Sequence, residues 1–249
     1  MSEHVNLLWT GGWDSTFRML HLLLEEEKSV QPYYLHINSR KSSQKEIETM
    51  AQIRNYLQNE LPITRQLLSD TKFFKDNELI EDAGISKAYK ELKSNNYLGD
   101  QFETLARFAK QYKITGLEFC LEKGNYAKTF IFPHMETVHY QGQSINRINI
   151  DSAPKQIMEI LGSYRFPLVH LTRQEMVDIV KQKGWMHIMN MTWFCHHPIL
   201  NRYPCGVCNP CMYVREDNME WRIPFPQRIA GKLVKKVFNS SFILKLRNF

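Results

Sequence analysis

Along the first half of the chain, short apolar runs alternate with stretches of helical period. Val5–Trp9 is a buried-strand pattern, and Phe17, Leu20 and Leu24 after it share one helical face. Tyr33–Ile37 predicts a second strand. From about Gln44, the positions Ile47, Met50, Ala51, Arg54 and Leu57 recur at helical spacing until Pro62 closes the helix. Ile63–Leu68 reads as a third strand, and the polar, charged residues 70–96 as an inserted helical excursion. Phe102, Leu105, Ala106 and Ala109 stripe another helix, which leads into a strand at Ile114–Leu121. Residues 122–150 lack a clear period and leave room for a hairpin or a substrate loop. Phe166–Leu171 reads as a last strand. Thr172 then caps a helix, with Glu175 completing a capping box and Gly184 stopping it. Strands alternating with helices predict an α/β fold, a Rossmann-like parallel sheet covered on both faces.

Composition narrows this picture. The 249 residues are 43% hydrophobic and 23% charged, enough apolar material for one sizeable core and too much for a disordered chain. No apolar run approaches the roughly 18–20 residues of a membrane-spanning helix. Met1-Ser2-Glu3-His4 lacks the basic start of a signal peptide, and four of five cysteines crowd between 195 and 211, so a cytoplasmic protein is expected. The net charge of +6 is local: residues 221–249 hold seven basic side chains and no acidic one. The body is close to neutral, so the charge does not make the whole protein a nucleic-acid binder.

The sharpest N-terminal feature is Trp9-Thr10-Gly11-Gly12-Trp13-Asp14-Ser15-Thr16, set between the first strand and the first helix. Two glycines permit a tight turn that brings backbone N–H groups near an anion, and the helix N-terminus adds its dipole. Thr10, Ser15 and Thr16 supply hydroxyls, while Asp14 suits a Mg²⁺ on phosphate oxygens. It is neither a P-loop nor a G-x-G-x-x-G turn. The plain alternative is a Gly-Gly turn capped by Asp and Ser.

Cys195, Cys205, Cys208 and Cys211 follow the spacing C-x9-C-x2-C-x2-C, which suits a closed tetrahedral zinc site with a structural role. A redox dithiol at Cys205/Cys208 or Cys208/Cys211, and His196 or His197 replacing one cysteine, stay open. Cys120 reads as a small buried residue.

The turn resembles the Ser-Gly-Gly-x-Asp-Ser signature of the PP-loop ATP pyrophosphatases, with Thr10 for the first serine. Turn and cysteines in this order, with Pro167-Leu168, Leu171, Arg173 and Glu175 at a strand-to-helix join, resemble the 7-cyano-7-deazaguanine synthase (QueC) family. The resemblance covers about residues 5–60 and 160–215. It implies a PP-loop (adenine nucleotide alpha hydrolase-like) fold with a zinc module, commonly a homodimer. It implies an ATP-dependent C–N ligase of queuosine biosynthesis that adenylates a carboxylate for attack by ammonia, using Mg²⁺ with ATP. On this basis Asp14 and Ser15 are the candidate catalytic residues. Trp9, Thr10, Gly11, Gly12, Trp13, Asp14, Ser15 and Thr16 would bind ATP, with backbone at Ile37 and Asn38 meeting the adenine. The family's Asp-x-Ser-Gly-Tyr-Pro-Asp-Cys substrate loop has no counterpart in Glu118–Gly124. Another acceptor, or a non-catalytic nucleotide- or partner-binding module, therefore stands as the alternative.

Three parts are expected: residues 1–190, a zinc module at 191–224 and a basic amphipathic segment at 225–249. In the last, Ile229, Leu233, Val234, Val237 and Phe238 share one side beside Lys232, Lys235 and Lys236. It reads first as a helix docked on its own domain or a dimer mate, and otherwise as a contact for a protein partner, RNA or an anionic membrane. Trp193, Phe194, Tyr203, Tyr213 and Trp221 read as packing of the zinc module, or as a stack for a purine base.

Overall fold

The computed structural model describes residues 4–95, 98–124, 131–140 and 143–239. Its centre is a seven-stranded sheet of order β3-β2-β1-β4-β7-β6-β5. Strands β1 (Val5–Leu8), β2 (Val30–His36), β3 (Lys72–Lys75), β4 (Leu117–Glu118) and β7 (Tyr164–Arg165) run parallel. The hairpin of β5 (Met135–Tyr140) and β6 (Gln143–Ile148) joins antiparallel through β6. The chain runs outward from β1 through β2 to β3, then returns to β4 on the other side of β1. The β1/β4 boundary is thus the topological switch point, where parallel α/β sheets open a crevice at the carboxyl ends of their strands.

Two apolar clusters cover the two faces of the sheet. One gathers Leu7, Trp9, Phe17 and Leu20 with Met50, Ile53 and Leu57 of helix α2 (Ser43–Glu60). The other packs Leu8, Tyr33 and Leu117 against Phe102, Leu105 and Phe108 of helix α5 (Gln101–Gln111). Helix α1 (Trp13–Leu24) is anchored beneath the sheet by Arg18, whose guanidinium donates to both oxygens of Glu118 at 2.7 and 2.8 Å.

Five expectations need correcting. Ile63–Leu68 is not a strand: after Pro62 the chain turns into helix α3 (Thr64–Leu67), with the Thr64 hydroxyl donating to the Leu61 carbonyl. Only Leu68 touches the sheet, as an isolated bridge to Val30. The true third strand is Lys72-Phe73-Phe74-Lys75, inside the stretch read as helical. It is a short edge strand with lysines at both ends, so its polar look hid it. Helix α4 (Ala83–Asn95) follows in the same stretch. Phe166–Leu171 is a turn, and the last strand is Tyr164–Arg165: Pro167 has no N–H to continue the ladder. The expected strand at 114–121 shrinks to Leu117–Glu118, and Ala51 of α2 faces solvent while Glu46 and Ile53 are buried.

Helix α6 (Lys155–Leu161) precedes β7, and helix α7 (Arg173–Gln182) opens with the expected capping box of Thr172 and Glu175. Gly184 ends that turn with φ +70°. Helices α8 (Met186–Met189), α9 (Asn209–Glu216) and α10 (Phe225–Asn239) complete the chain as described. Of the expected break at Asn239-Ser240-Ser241, Asn239 is the last residue of α10, and 240–246 lie outside the described residues.

Candidate functional site

The turn after β1 is held by the groups below it. The Trp9 indole N–H donates to the Thr16 hydroxyl at 3.0 Å, and both side chains are fully buried. Gly11 has φ +68°, and a Cβ there would stand 3.1–3.4 Å from Thr49, Met50 and the Glu46 carbonyl. Glycine is therefore required both by conformation and by the close approach of α2. Trp13 and Ser15 are also buried, so Trp9, Gly11, Trp13, Ser15 and Thr16 form the scaffold. Thr10, Gly12 and Asp14 are the partly exposed members. Gly12 is the N-cap of α1 and offers no side-chain cap, so backbone N–H groups of the first turn stay available for an anion.

Asp14 is not alone. Arg173, the first residue of α7, grips it with both guanidinium ends, Nη1 to Oδ1 and Nη2 to Oδ2, the second at 3.2 Å. The same guanidinium pairs with Glu122 at 3.2 Å and Asp217 at 3.5 Å. Three carboxylates thus meet one arginine at the switch point: Asp14 after β1, Glu122 after β4 and Asp217 after α9. Burial pushes the Glu122 carboxyl up to about 7, opposed by Arg173 and aided by the charges of Asp14 and Asp217. Burial raises Asp217 as well. Sequence reading missed Glu122, Arg173 as an ion-pair hub and Asp217. The capping box was the available signal, since it set Arg173 at the start of a helix aimed at the sheet's carboxyl edge.

Beside this cluster a cavity of about 590 Å³ opens between the ends of β2 and β4, the start of α5 and the cysteine segment. Ile37, Arg40, Phe102, Leu121, His196 and Tyr213 are among its walls. Of the two residues expected to meet a nucleotide base, Ile37 is a wall of this cavity and Asn38 is not. The Asn38 N–H already donates to Asp76 at 3.1 Å, and the Ile37 carbonyl accepts from the Arg40 N–H at 2.9 Å. Groups of this backbone edge are thus already partnered.

The four cysteines converge. Their sulfur atoms lie within 4.8 Å of one another, with Cys208–Cys211 at 3.5 Å, Cys208–Cys195 at 3.8 Å and Cys205–Cys211 at 3.9 Å. Tetrahedral zinc with bonds of about 2.3 Å separates its sulfurs by roughly 3.8 Å, so the donor set fits such an ion. The N–H groups of Cys205, Val207 and Cys208 point at sulfur, as thiolate ligands require. Gly206 has φ +80°, and a Cβ there would stand 2.2 Å from the Gln227 carbonyl of α10. Arg215 fastens the same helix by donating to the carbonyls of Gln227 and Arg228. The tail helix is therefore docked at its start, as expected, although Ile229 and Leu233 remain 46% and 60% exposed. Neither histidine displaces a cysteine from the sulfur cluster. Cys120 is buried, and burial pushes its thiol up, which suits an inert residue.

The cysteine segment and the turn are joined directly: the Trp193 N–H donates to the Gly11 carbonyl at 2.9 Å. Cys195, Cys211, Val214, Met219 and Ile223 share the apolar cluster of Leu7 and Trp9. No described helix is long and apolar enough to cross a membrane. A family model described as "Queuosine biosynthesis protein QueC" matches residues 4–221. No curated protein matches the chain.

Proposed function

This chain belongs to the QueC family, and from that premise we propose that it is an ATP-dependent ligase forming C–N bonds. It activates a carboxylate by adenylation and passes it to ammonia or another amine. The observation that carries this reading is the uncapped N-terminus of α1 at the switch point, with Asp14 beside it in the grip of Arg173.

A carboxylate is a poor electrophile, because its charge repels nucleophiles and its oxygen leaves badly. Its oxygen attacks the α-phosphorus of ATP, pyrophosphate departs, and an acyl adenylate results. The amine then attacks the carbonyl carbon, AMP leaves with the bonding pair, and a proton is lost to give the amide. The amide oxygen then attacks the α-phosphorus of a second ATP, pyrophosphate departs, and loss of AMP and of both N–H protons yields a nitrile. In this scheme backbone N–H groups from Gly12 onward hold the leaving pyrophosphate, and Arg173 holds Asp14 in place beside it. Asp14, with the Ser15 hydroxyl beside it, is the oxygen donor that would hold Mg²⁺, which would shield the phosphates. Trp9, Trp13 and Thr16 act by fixing the turn, and Ile37, with Asn38 next to it, walls the cavity that would take the base.

The zinc-holding residues are Cys195, Cys205, Cys208 and Cys211, in a structural role that leaves no open position for water. We retain the division into 1–190, 191–224 and 225–249 as one of roles built on a shared core, and a homodimer as the working state. The acceptor of the parent family is 7-carboxy-7-deazaguanine. A different carboxylate is the second reading, favoured by Glu118–Gly124, where no family substrate loop stands.

The test is incubation of zinc-loaded protein with ATP, Mg²⁺ and ammonium, with and without 7-carboxy-7-deazaguanine, read by mass spectrometry. AMP and pyrophosphate with a cyano or amide deazapurine are the expected products, and Asp14→Asn abolishes them. AMP release that needs another carboxylate supports the second reading. Turnover unchanged in Asp14→Asn overturns the assignment of the turn.

A further inference from the structure

A second cavity, of about 570 Å³, is lined by residues of α2, of the segment 190–194 and of the chain around Trp221. It shares no wall residue with the first. Its cationic walls are Lys45, Arg202 and Arg222, and its aromatic walls are Trp193, Phe194 and Trp221. No aspartate or glutamate lines it, whereas Asp76 and Asp100 line the first cavity.

The two arginines here lack carboxylate partners. Arg202 and Arg222 make no ion pair among the described residues. Lys45 pairs with Glu48 at 3.6 Å, and its Nζ sits 5.5 Å above the Trp193 ring. Arg222 spends one nitrogen on the Thr192 carbonyl and hydroxyl, at 2.6 and 2.7 Å. Its guanidinium lies 4.8 Å from the Phe194 ring centre and 5.1 Å from that of Trp13. Burial, and then the charge of Arg173, push its pKa down to about 9. Asp14 acts the other way, but no described carboxylate stands within ion-pair distance, and a cation held this way gains most from an arriving anion. The aromatic residues also need an account. Trp193 and Phe194 stack at 6.1 Å, and Trp221 is 47% exposed, which leaves part of its ring open.

We propose that this cavity is a second ligand site, built for a nucleotide: phosphate against Arg222 and Arg202, base against the open indole of Trp221. A free inorganic anion would use the cations and leave the ring idle; a neutral base would do the reverse. A nucleotide uses both. The site is wired to the turn by two contacts, the Trp193 N–H to Gly11 and the Arg222–Trp13 stack. The inference is independent of the ligase reading, since binding here requires no turnover.

Two tryptophans in the walls make binding visible by fluorescence. Zinc-loaded full-length protein is titrated with AMP, with inorganic phosphate and with adenosine, and calorimetry gives the affinities. AMP is expected to quench and to bind at least tenfold tighter than either fragment. Arg202→Glu weakens AMP at least tenfold, while Lys87→Ala, at a residue that lines neither cavity, leaves it unchanged. Lys45→Glu, on another element, does the same as Arg202→Glu and guards against a folding defect in one variant. AMP binding lost in Asp14→Asn and kept in Arg202→Glu would place the nucleotide on the turn and overturn the proposal. Inorganic phosphate binding as tightly as AMP overturns the nucleotide class. Loss of turnover with AMP binding intact counts against the ligase reading alone.

Discussion

The glycine turn after β1 and the cysteine loops between 195 and 211 are both short, irregular pieces of chain, and each sets several polar groups around one point. They reach that geometry by opposite means. The turn is positioned from below: Trp9, Thr16 and Phe17 are buried, and Gly11 lies tight against α2. Its backbone takes its shape from packing and offers N–H groups that the fold has already oriented. The cysteine loops have buried Cys195 and Cys211 beneath them, but Cys205 and Cys208 are half-exposed, and Val207 and Leu200 face solvent. Their shape rests on four sulfurs that repel one another as thiolates unless a cation lies between them. One region takes its shape from the core, whereas the other gathers four sulfurs that could hold a metal ion.

Metal removal separates the two most sharply. Zinc binding gives apparent folding energies of roughly 10–16 kcal/mol in isolated finger peptides, and here the shared apolar cluster retains part of the structure. Chelation, or Cys208→Ser, is expected to cost several kcal/mol and to expose residues 196–224 to protease before the sheet yields. Elemental analysis alongside thermal unfolding checks it. A metal-free protein that melts like the loaded one would mean that the cysteine loops, too, are shaped by packing.

The mirror experiment is Gly11→Ala. A side chain at φ +68° costs about 1–2 kcal/mol, and contacts of 3.1–3.4 Å with Thr49, Met50 and Glu46 add crowding of similar size. Gly184→Ala is the control, because its φ is +70° but nothing lies within 4 Å. Gly11→Ala is expected to lose about 3 kcal/mol and nucleotide binding with it, and Gly184→Ala about 1 kcal/mol with binding intact. Equal losses would show that the approach of α2 does not shape the turn.

The same contrast explains what could be read from the sequence. The turn and the cysteines were legible because each is local: a few residues at fixed spacing determine the chemistry. Helices α1, α2, α5 and α7 were legible because their apolar stripes face one neighbour. The strands were harder, since β4 and β7 are two residues long and β3 is an edge strand with lysines at both ends. Their place depends on partners remote in sequence. The carboxylate cluster was invisible for that reason: Asp14, Glu122, Arg173 and Asp217 come from four elements, and only the sheet order brings them together.

That cluster tests the comparison through pH. Burial raises Glu122 to about 7 from an ordinary 4.5, so the folded state holds its proton more firmly than the unfolded chain does. The associated stability is complete below pH 4.5 and is lost as pH rises through 7. At 1.36 kcal/mol per unit, and reduced for partial exposure, it amounts to about 2 kcal/mol. Glu122→Gln is expected to flatten the slope of stability between pH 5 and 7.5, read by denaturant unfolding. The cysteine loops respond in the opposite sense, since protons compete with metal for thiolate and acid weakens them. An unchanged slope in Glu122→Gln would remove Glu122 as its source.

The smallest effect is expected at the foot of the turn. Trp9→Phe keeps the aromatic body in the core and removes only the N–H that donates to the Thr16 hydroxyl at 3.0 Å. The buried hydroxyl loses one partner and the space of a smaller ring opens, for a cost of about 1–2 kcal/mol, or roughly 2–6 °C in Tm for a chain of this length. Because Gly11 and α2 still shape the turn, nucleotide affinity should fall less than threefold. Trp9→Phe with Thr16→Val separates the terms: if the hydrogen bond matters for itself, the double variant costs less than the sum of the singles. A tenfold loss of nucleotide binding in Trp9→Phe alone would mean that one hydrogen bond, and not the packed bed beneath, sets the turn.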